Sequence, residues 1–288
     1  MPELPEVETL RRSLEPLLSG RSLSRPRVTR RDMLCAPGDP AGGFSRSRTV
    51  RTPVRLDPAW LLTGATIARL TRHGKQLGIE ASDGRAVVVH LGMTGGMRVL
   101  DPSDRLPAHT HITWKLDNGR RLAFSDPRRF GLVRLLPEGT GPLWASLGPD
   151  ALTVRAPALA ERLAGTKRAI KAALLDQQVL AGVGNIYADE ALFASGIHPE
   201  TLACRLERAT VAALAGSIRG ILRDAIARGG STIRDYRDGT GRSGAYQRTH
   251  AVYGRAGQPC TRCGRALIGA RVAQRATVYC EACQPRIR

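Results

Sequence analysis

Two places in this chain carry residue types that can do chemistry, and the first is its N-terminus, MPELPEVETL. Initiator methionine is ordinarily removed ahead of a small residue such as Pro2, which leaves a prolyl nitrogen as a free secondary amine. An α-amino group titrates near about 7.7–8.0, so part of it is neutral and nucleophilic at neutral pH, whereas a lysine near about 10.4 must be desolvated to match it. A secondary amine condensing with a sugar aldehyde carbon gives a cationic iminium, which is an electron sink. Glu3 adjoins that nitrogen and Glu6 lies one helical turn further on, so two carboxyl groups are at hand for proton transfer. Acidic residues in a first helical turn are equally at home as partners of the helix dipole. The segment by itself therefore leaves a structural role open.

The second place is the C-terminal tail. Cys260, Cys263, Cys280 and Cys283 form C-x2-C, a gap of sixteen residues, and C-x2-C again, while Cys35 and Cys204 stand alone. Four thiolates so spaced close a tetrahedral zinc site, and four protein ligands leave no position open for a substrate, so the metal is structural. Between the pairs, ALIGARV and RATVY alternate around Ala273-Gln274 as a β-hairpin would. Zinc would pin a hairpin too small to fold alone.

Other elements must position these groups. Leu4, Val7, Leu10, Leu14, Leu17 and Leu18 recur at helical spacing, with Pro5 suited to the first turn. Residues 32–56 are rich in Gly, Pro, Ser and Arg and read as a long loop. Short β-like runs follow from 58 to 135: ATIARL, LGIEA, AVVVHLGM, HITWKL, RRLAFS and LVRLL. Asp83-Gly84 and Asn118-Gly119 each separate two of these runs, the strongest short-range hairpin signal. Pro137 to Pro149 reads as a hinge, and beyond it the periodicity turns helical over 155–164, 167–177 and 207–228. Asn185 reads as the N-cap of a further helix, IYADEALFAS, that Gly196 ends. The stretch 235–246, DYRDGTGRSGAY, is too polar and glycine-rich to pack and is expected to be mobile.

The composition narrows the class. The 288 residues are 42% hydrophobic and 24% charged, enough for a real core, and no apolar run reaches the roughly eighteen residues of a membrane span. The acidic N-terminus has no apolar stretch of a secretory signal, so the chain is expected in the cytoplasm with reduced thiols. Lys+Arg 44 against Asp+Glu 25 leaves +19, which points to a polyanionic partner, nucleic acid before membrane. Only Lys75, Lys115, Lys167 and Lys171 are lysines, which singles each of them out.

Several blocks, taken together in order, carry more. PELPEVETLRR (2–12), HLGMTG (90–95), DPRRFG (126–131), LLDQ…GVGNIYADEALF (174–193) and QRATVYCEACQ (274–284) resemble the formamidopyrimidine-DNA glycosylase family along nearly the whole chain. The resemblance implies an α+β fold: an N-terminal β-sandwich domain with flanking helices over 1–136, a hinge over 137–150, a helical helix-two-turns-helix domain over 151–250, and a four-cysteine β-hairpin zinc finger over 251–288, with one structural Zn2+. It implies a monomeric repair enzyme acting on double-stranded DNA that contains oxidised purines, chiefly 8-oxoguanine opposite cytosine, or abasic sites, and nicking the strand afterwards. Pro2 would attack C1′ of the damaged nucleotide, Glu3 would assist opening of the sugar ring, and Glu6 would organise the proton network. Lys75 would serve β-elimination and the lesion's phosphate, and Arg275 δ-elimination and phosphate clamping.

A base inside a duplex must be flipped out before it can be reached, and the gap it leaves must be filled. Met93, Arg128 and Phe130 match the family's void-filling residues, against a plainer reading of Met93 and Phe130 as core and of Arg128 as a surface ion pair. His109, Asn185, Arg275 and Lys167 are the candidates for phosphate contacts, which position a protein on DNA without reading sequence. His109 and His111 are expected to alternate on one strand, with His109 toward DNA; the basic residue that usually precedes it in the family is Ala108 here. The 235–246 stretch corresponds to the loop that covers the flipped base in relatives. Two rivals remain: an endonuclease VIII-like enzyme for oxidised pyrimidines, which PELPEVE, DPRRFG and QRAT disfavour, and a non-catalytic zinc-finger DNA-binding protein.

Overall fold

The computed structural model describes residues 2–24, 26–35, 57–137, 143–144, 146–233 and 235–286. It clusters into two compact units, Met1–Ser146 with Gly229–Ala245, and Leu147–Arg228 with Tyr246–Arg288.

The first unit opens with α1 (Leu4–Leu18), whose Leu4, Val7, Leu10, Leu14 and Leu18 are all buried on one face. Among the described residues nine strands follow: β1 (Arg27–Val28), β2 (Leu34–Cys35), β3 (Ile67–His73), β4 (Gln76–Ala81), β5 (Ala86–His90), β6 (Gly96–Leu100), β7 (Thr110–Lys115), β8 (Arg121–Ser125) and β9 (Leu132–Leu136). They form a five-stranded sheet ordered β2-β9-β5-β4-β3 and a four-stranded sheet ordered β1-β7-β8-β6. Alternate residues of both sheets, Leu77, Ile79, Val87, Val89, Val133 and Leu135 against Ile112, Trp114, Leu122 and Phe124, share one core with Leu10 and Leu14 of α1. That is the sandwich the period-two patterning requires. Gly84 and Gly119 have positive φ in the turns of the β4–β5 and β7–β8 hairpins, where the Asp-Gly and Asn-Gly pairs place them.

Three details differ from the sequence reading. The patterning does not predict β6, because Gly96–Leu100 is short and follows a glycine; β8 recruits it as an antiparallel neighbour. β5 stops at His90 rather than running on through Met93. The loop expected over 32–56 begins as structure: a short 3-10 turn at Arg31–Met33 leads into β2, which pairs in parallel with β9. Its remainder, 36–56, lies outside the described residues.

The stretch 235–246 is expected from its composition to be unable to pack, and the structure corrects this. Its glycines bring backbone close to α1 instead of keeping it away: a Cβ on Gly239 would sit 2.5 Å from a Leu14 methyl. The Gly239 N–H donates to Ser13 Oγ at 2.8 Å, and its carbonyl accepts from Val99 N–H at 3.2 Å. Asp238 Oδ1 accepts from the Thr240 and Arg242 amides, closing the polar turn on itself.

The second unit holds α2 (Ala156–Ala164), α3 (Ile170–Leu175), α4 (Asn185–Ala194), α5 (Arg208–Ala227) and the hairpin β10 (Ile268–Val272)–β11 (Arg275–Tyr279). The expected stripe Val211, Leu214, Ile218, Leu222, Ile226 of α5 is buried throughout. α3 is shorter than its periodicity over 167–177, because residues ahead of it are spent on other pairings: Ala169 bridges Leu202, and the Ile170 N–H donates to the Thr201 carbonyl at 2.7 Å. Gly184, not Asn185, is the N-cap of α4; Asn185 is its first helical residue. Gly196 follows the helix with φ +68°, as its stop signal requires.

Candidate active site and zinc module

Glu3 is the extended N-cap of α1 and forms a capping box with Glu6. Glu6 Oε2 accepts from the Glu3 N–H at 2.7 Å, and its Oε1 accepts from the Ser231 N–H at 2.7 Å. The Tyr236 hydroxyl donates to the Glu6 carbonyl at 2.8 Å. Pro2, Glu3 and Glu6 are all buried. Helix capping chemistry thus fixes two buried carboxyl groups in the first turn after Pro2, and the 229–245 segment supports the arrangement through Ser231 and Tyr236. Ser231 and Tyr236 escape a sequence reading because nothing local marks a partner 225 or 230 residues away.

Lys75 is 8% exposed and sits in the two-residue turn between β3 and β4. On the next strand His90 pairs in register with Gln76. Burial, then the Lys75 charge, push the His90 imidazole down to about 4 against the opposing pull of Asp126. The ring is therefore neutral at neutral pH, and its Nδ1 accepts from the Gly92 N–H at 3.1 Å. The sequence offered His90 only as the first letter of HLGMTG.

Burial acts to raise the Glu8 carboxyl, but hydrogen bonds from Arg11 and Arg12 and the charge of Arg72 outweigh it and hold the group at about 2, below its ordinary 4.5. A carboxyl held low stabilises the fold above its unfolded value, and that stability is lost as pH falls through the folded value. The native chain is thus expected to lose stability between pH 4.5 and about 2. Glu8→Gln should flatten that part of the profile when thermal melts are followed against pH; an unchanged acid limb would remove Glu8 as its source.

The blocks HLGMTG and DPRRFG meet around one buried carboxylate. Asp126 Oδ2 accepts from the Gly131 N–H at 2.7 Å, and Oδ1 from Thr94 Oγ1 at 2.5 Å and the Arg128 N–H at 3.2 Å. The two loops touch backbone to backbone: at Gly92, with φ +60°, a Cβ would lie 2.4 Å from the Phe130 carbonyl carbon, so no other residue fits. Asp126 thereby ties together the two loops that carry Met93, Arg128 and Phe130. Met93 is 37% exposed, Arg128 is exposed, and the Arg128 guanidinium lies 4.7 Å from the centre of the half-buried Phe130 ring. Met93 is not core, and Arg128 stacks on an aromatic face.

His109 and His111 do not alternate on one strand. β7 starts at Thr110, and His109 precedes it in a turn with φ +59° and is exposed. Its carbonyl accepts from the Asp126 N–H at 3.1 Å, while His111 is buried with Nε2 2.9 Å from the Asp126 carbonyl oxygen. Residues two apart on a strand share a face, so alternation could not have separated the two histidines; the turn at His109 leaves it exposed while His111 is buried.

In the second unit the four cysteine sulfurs lie within 4.8 Å of one another, with Cys260–Cys283 at 3.9 Å and Cys263–Cys280 at 3.5 Å. Zinc–thiolate bonds of about 2.3 Å in a tetrahedron set sulfurs about 3.8 Å apart, so the cluster fits one structural zinc ion. Cys260 and Cys280 also belong to a small core with Phe193, Val252, Leu267 and Val278. Ala273 and Gln274 both have positive φ in the two-residue turn of the hairpin, and Arg275 follows it, exposed.

The helices hold this hairpin in place. Asn185 Nδ2 donates to the Ala276 carbonyl at 2.9 Å, one residue beyond Arg275. Lys171 is fully buried; its Nζ pairs with Asp189 at 2.6 Å and donates to Thr277 Oγ1 at 2.7 Å and the Ala276 carbonyl at 2.9 Å. Asp189 Oδ2 in turn accepts from the Val278 N–H at 3.1 Å. α3, α4 and β11 are thus tied through one buried ion pair, which the sequence marked only as one of four lysines. Lys167 stands apart from this cluster, exposed in the connection after α2.

The first unit thus carries a buried acidic capping box after Pro2 on a β-sandwich, and the second a helical bundle with a four-cysteine hairpin whose turn is followed by Arg275. The family model for the formamidopyrimidine-DNA glycosylase N-terminal domain matches residues 1–133, that for its H2TH domain residues 147–237, and that for a zinc finger found in FPG and IleRS residues 257–286. Formamidopyrimidine-DNA glycosylase of Paracoccus denitrificans is 41% identical, covering 99% of this chain and 100% of the relative. The crystal structure of MutM (FPG) from Thermus thermophilus superposes with a TM-score of 0.82 at 38% identity, covering 100% of both chains. Lactococcus lactis Fpg in complex with abasic-site DNA gives 0.83 at 33%, covering 99% of this chain and 100% of that one. The chain belongs to the formamidopyrimidine-DNA glycosylase family.

Proposed function

We propose that this protein is a bifunctional base-excision-repair enzyme, a formamidopyrimidine-DNA glycosylase with abasic-site lyase activity on double-stranded DNA. In this reading the Pro2 nitrogen attacks C1′ of the lesion, and the glycosidic electron pair leaves with the protonated base. Opening of the sugar ring gives the C1′ iminium, with Glu3 delivering a proton to O4′ and Glu6 holding the Glu3 amide in place. Loss of a C2′ proton expels the 3′ phosphate, and loss of a C4′ proton expels the 5′ phosphate; Lys75 and Arg275 assist these two eliminations. Met93, Arg128 and Phe130 occupy the gap left by the flipped base, and Arg128 donates to the orphaned cytosine. His109, Asn185, Arg275 and Lys167 contact phosphates. The zinc ion supplies no chemistry and holds the hairpin that presents Arg275.

The buried capping box that follows Pro2 carries this reading: it fixes two carboxyl groups in the helical turn next after an amine that processing can expose. The Lactococcus lactis relatives were solved with DNA containing Fapy-dG or an abasic site, which supports the same substrates here. Action on chromosomal DNA in the bacterial cytoplasm is part of this proposal; the relatives at about 40% identity are bacterial, and, as a separate fact, among the described residues no helix is long and apolar enough to cross a membrane. The test is borohydride trapping with a duplex carrying 8-oxoguanine opposite cytosine. A covalent complex whose mapped peptide ends at Pro2 is expected. Trapping with a thymine-glycol duplex alone would turn the assignment to oxidised pyrimidines, and binding without trapping would make the chain a non-catalytic binder.

A further inference from the structure

Glu8 lies in the second turn of α1, the helix that starts beside Pro2. Its carboxylate accepts from Arg11 and Arg12 on its own helix, as i,i+3 and i,i+4 pairs do. It also accepts from Nε of Arg72, on β3, at 3.0 Å, and both side chains are only 7% exposed. The same guanidinium donates through Nη1 to the Gly74 carbonyl at 3.1 Å. That carbonyl belongs to the peptide ending at the Lys75 nitrogen. One planar group therefore spans the nucleophile's helix and the turn that carries the lysine.

Arginine can do this because its donors sit in a rigid fork, whereas a lysine ammonium is a single point on a flexible stem. The start of α1 has supports of its own: the capping box, the Ser231 amide on Glu6 and the Tyr236 hydroxyl. Loosening Arg72 should thus disturb Lys75 more than Pro2. We infer that Arg72 is a positioning residue that sets Lys75 against the Pro2-bound sugar, and so governs strand elimination rather than imine formation. The inference rests on the roles proposed for Pro2 and Lys75.

The test uses the zinc-loaded, untagged protein with Arg72→Lys and a duplex holding a pre-formed abasic site, under single-turnover conditions. Borohydride trapping and strand nicking are followed in parallel. Arg72→Lys should nick about tenfold more slowly while trapping stays within about twofold, because a misplaced group slows only the step that uses it. No change in either rate, or an equal fall in both, would overturn the inference. Zinc content and melting temperature establish that the variant is folded. If Arg72→Lys does not fold, Arg72→Gln gives the same readout, since its amide reaches Glu8 or Gly74 but not both. Lys75→Ala run alongside separates the two failures. If Lys75→Ala nicks like the native chain, the role of Lys75 has failed and the inference with it; if Lys75→Ala is slow and the Arg72 variants are not, only the inference has failed.

Discussion

Protein carrying any residue ahead of Pro2 is expected to bind abasic-site DNA and leave it uncut. In that form the proline nitrogen is a tertiary amide, its lone pair is delocalised into the carbonyl, and no iminium can form. Loss of a nucleophile costs on the order of 10³-fold or more in turnover where other contacts survive. Glu3, Glu6 and Lys75 would remain where they are, but with no cation at C1′ to accept electrons the eliminations have no driving force. A cleavable N-terminal tag gives the comparison within one preparation: no trapped complex and no nicking with the tag, and both restored once cleavage exposes Pro2. Equal trapping in the tagged form would assign the imine to another amine, with the buried Lys75 first in line.

Removal of zinc has the second-largest expected effect. β10 and β11 are five residues each, and an isolated two-stranded hairpin is marginal in water. Metal binding in comparable modules contributes about 10–16 kcal/mol, nearly all of it folding free energy. Cys260→Ser removes a ligand, and chelation the metal, from a core that is itself built on Cys260 and Cys280. The hairpin should open and take Arg275 with it. Lys171 would then lose Thr277 Oγ1 and the Ala276 carbonyl, and Asp189 the Val278 amide, leaving a buried ion pair stripped of its hydrogen bonds. Affinity for abasic-site duplex should fall by about tenfold or more, since the Arg275 contact is lost and Asn185 loses the Ala276 carbonyl that holds it, with hydrogen-exchange protection lost across β11. A zinc-free protein that keeps β11 protected and still nicks would break the link between metal and Arg275.

Much of this is legible in the sequence. The spacing of the four clustered cysteines is a distance constraint written along the chain, and the sulfurs converge as it demands. Asp-Gly and Asn-Gly turns, the stripe of α5 and the alternation of the sandwich strands are local signals, so they survive into the fold. Sequence and structure part where a local signal competes with a distant partner. Asn185 looked like a cap, but its side chain serves Ala276, 91 residues on, and Gly184 caps the helix. The polar glycines of 235–246 looked like a mobile loop, but Ser13, Leu14 and Val99 provide a surface that only glycine backbone can approach.

By itself the sequence determined which groups are available: an N-terminal proline flanked by acids, four thiolates at zinc spacing, few lysines among many arginines, and the periodicity of the elements that carry them. It could do so because amine basicity, metal-ligand spacing and amphipathic period are properties of neighbouring residues. Only the tertiary structure decided how those groups are held. Glu6 is shared between Glu3 and Ser231, Asp126 ties the loop of Met93 to that of Arg128 and Phe130, Arg72 joins Glu8 to the Lys75 turn, and Lys171 with Asp189 fixes the zinc hairpin to the helices. Each is a buried polar group whose partner lies far along the chain. Burial makes an unpaired charge or amide costly, so the fold must supply the partner, but nothing in the local sequence says which residue it will be.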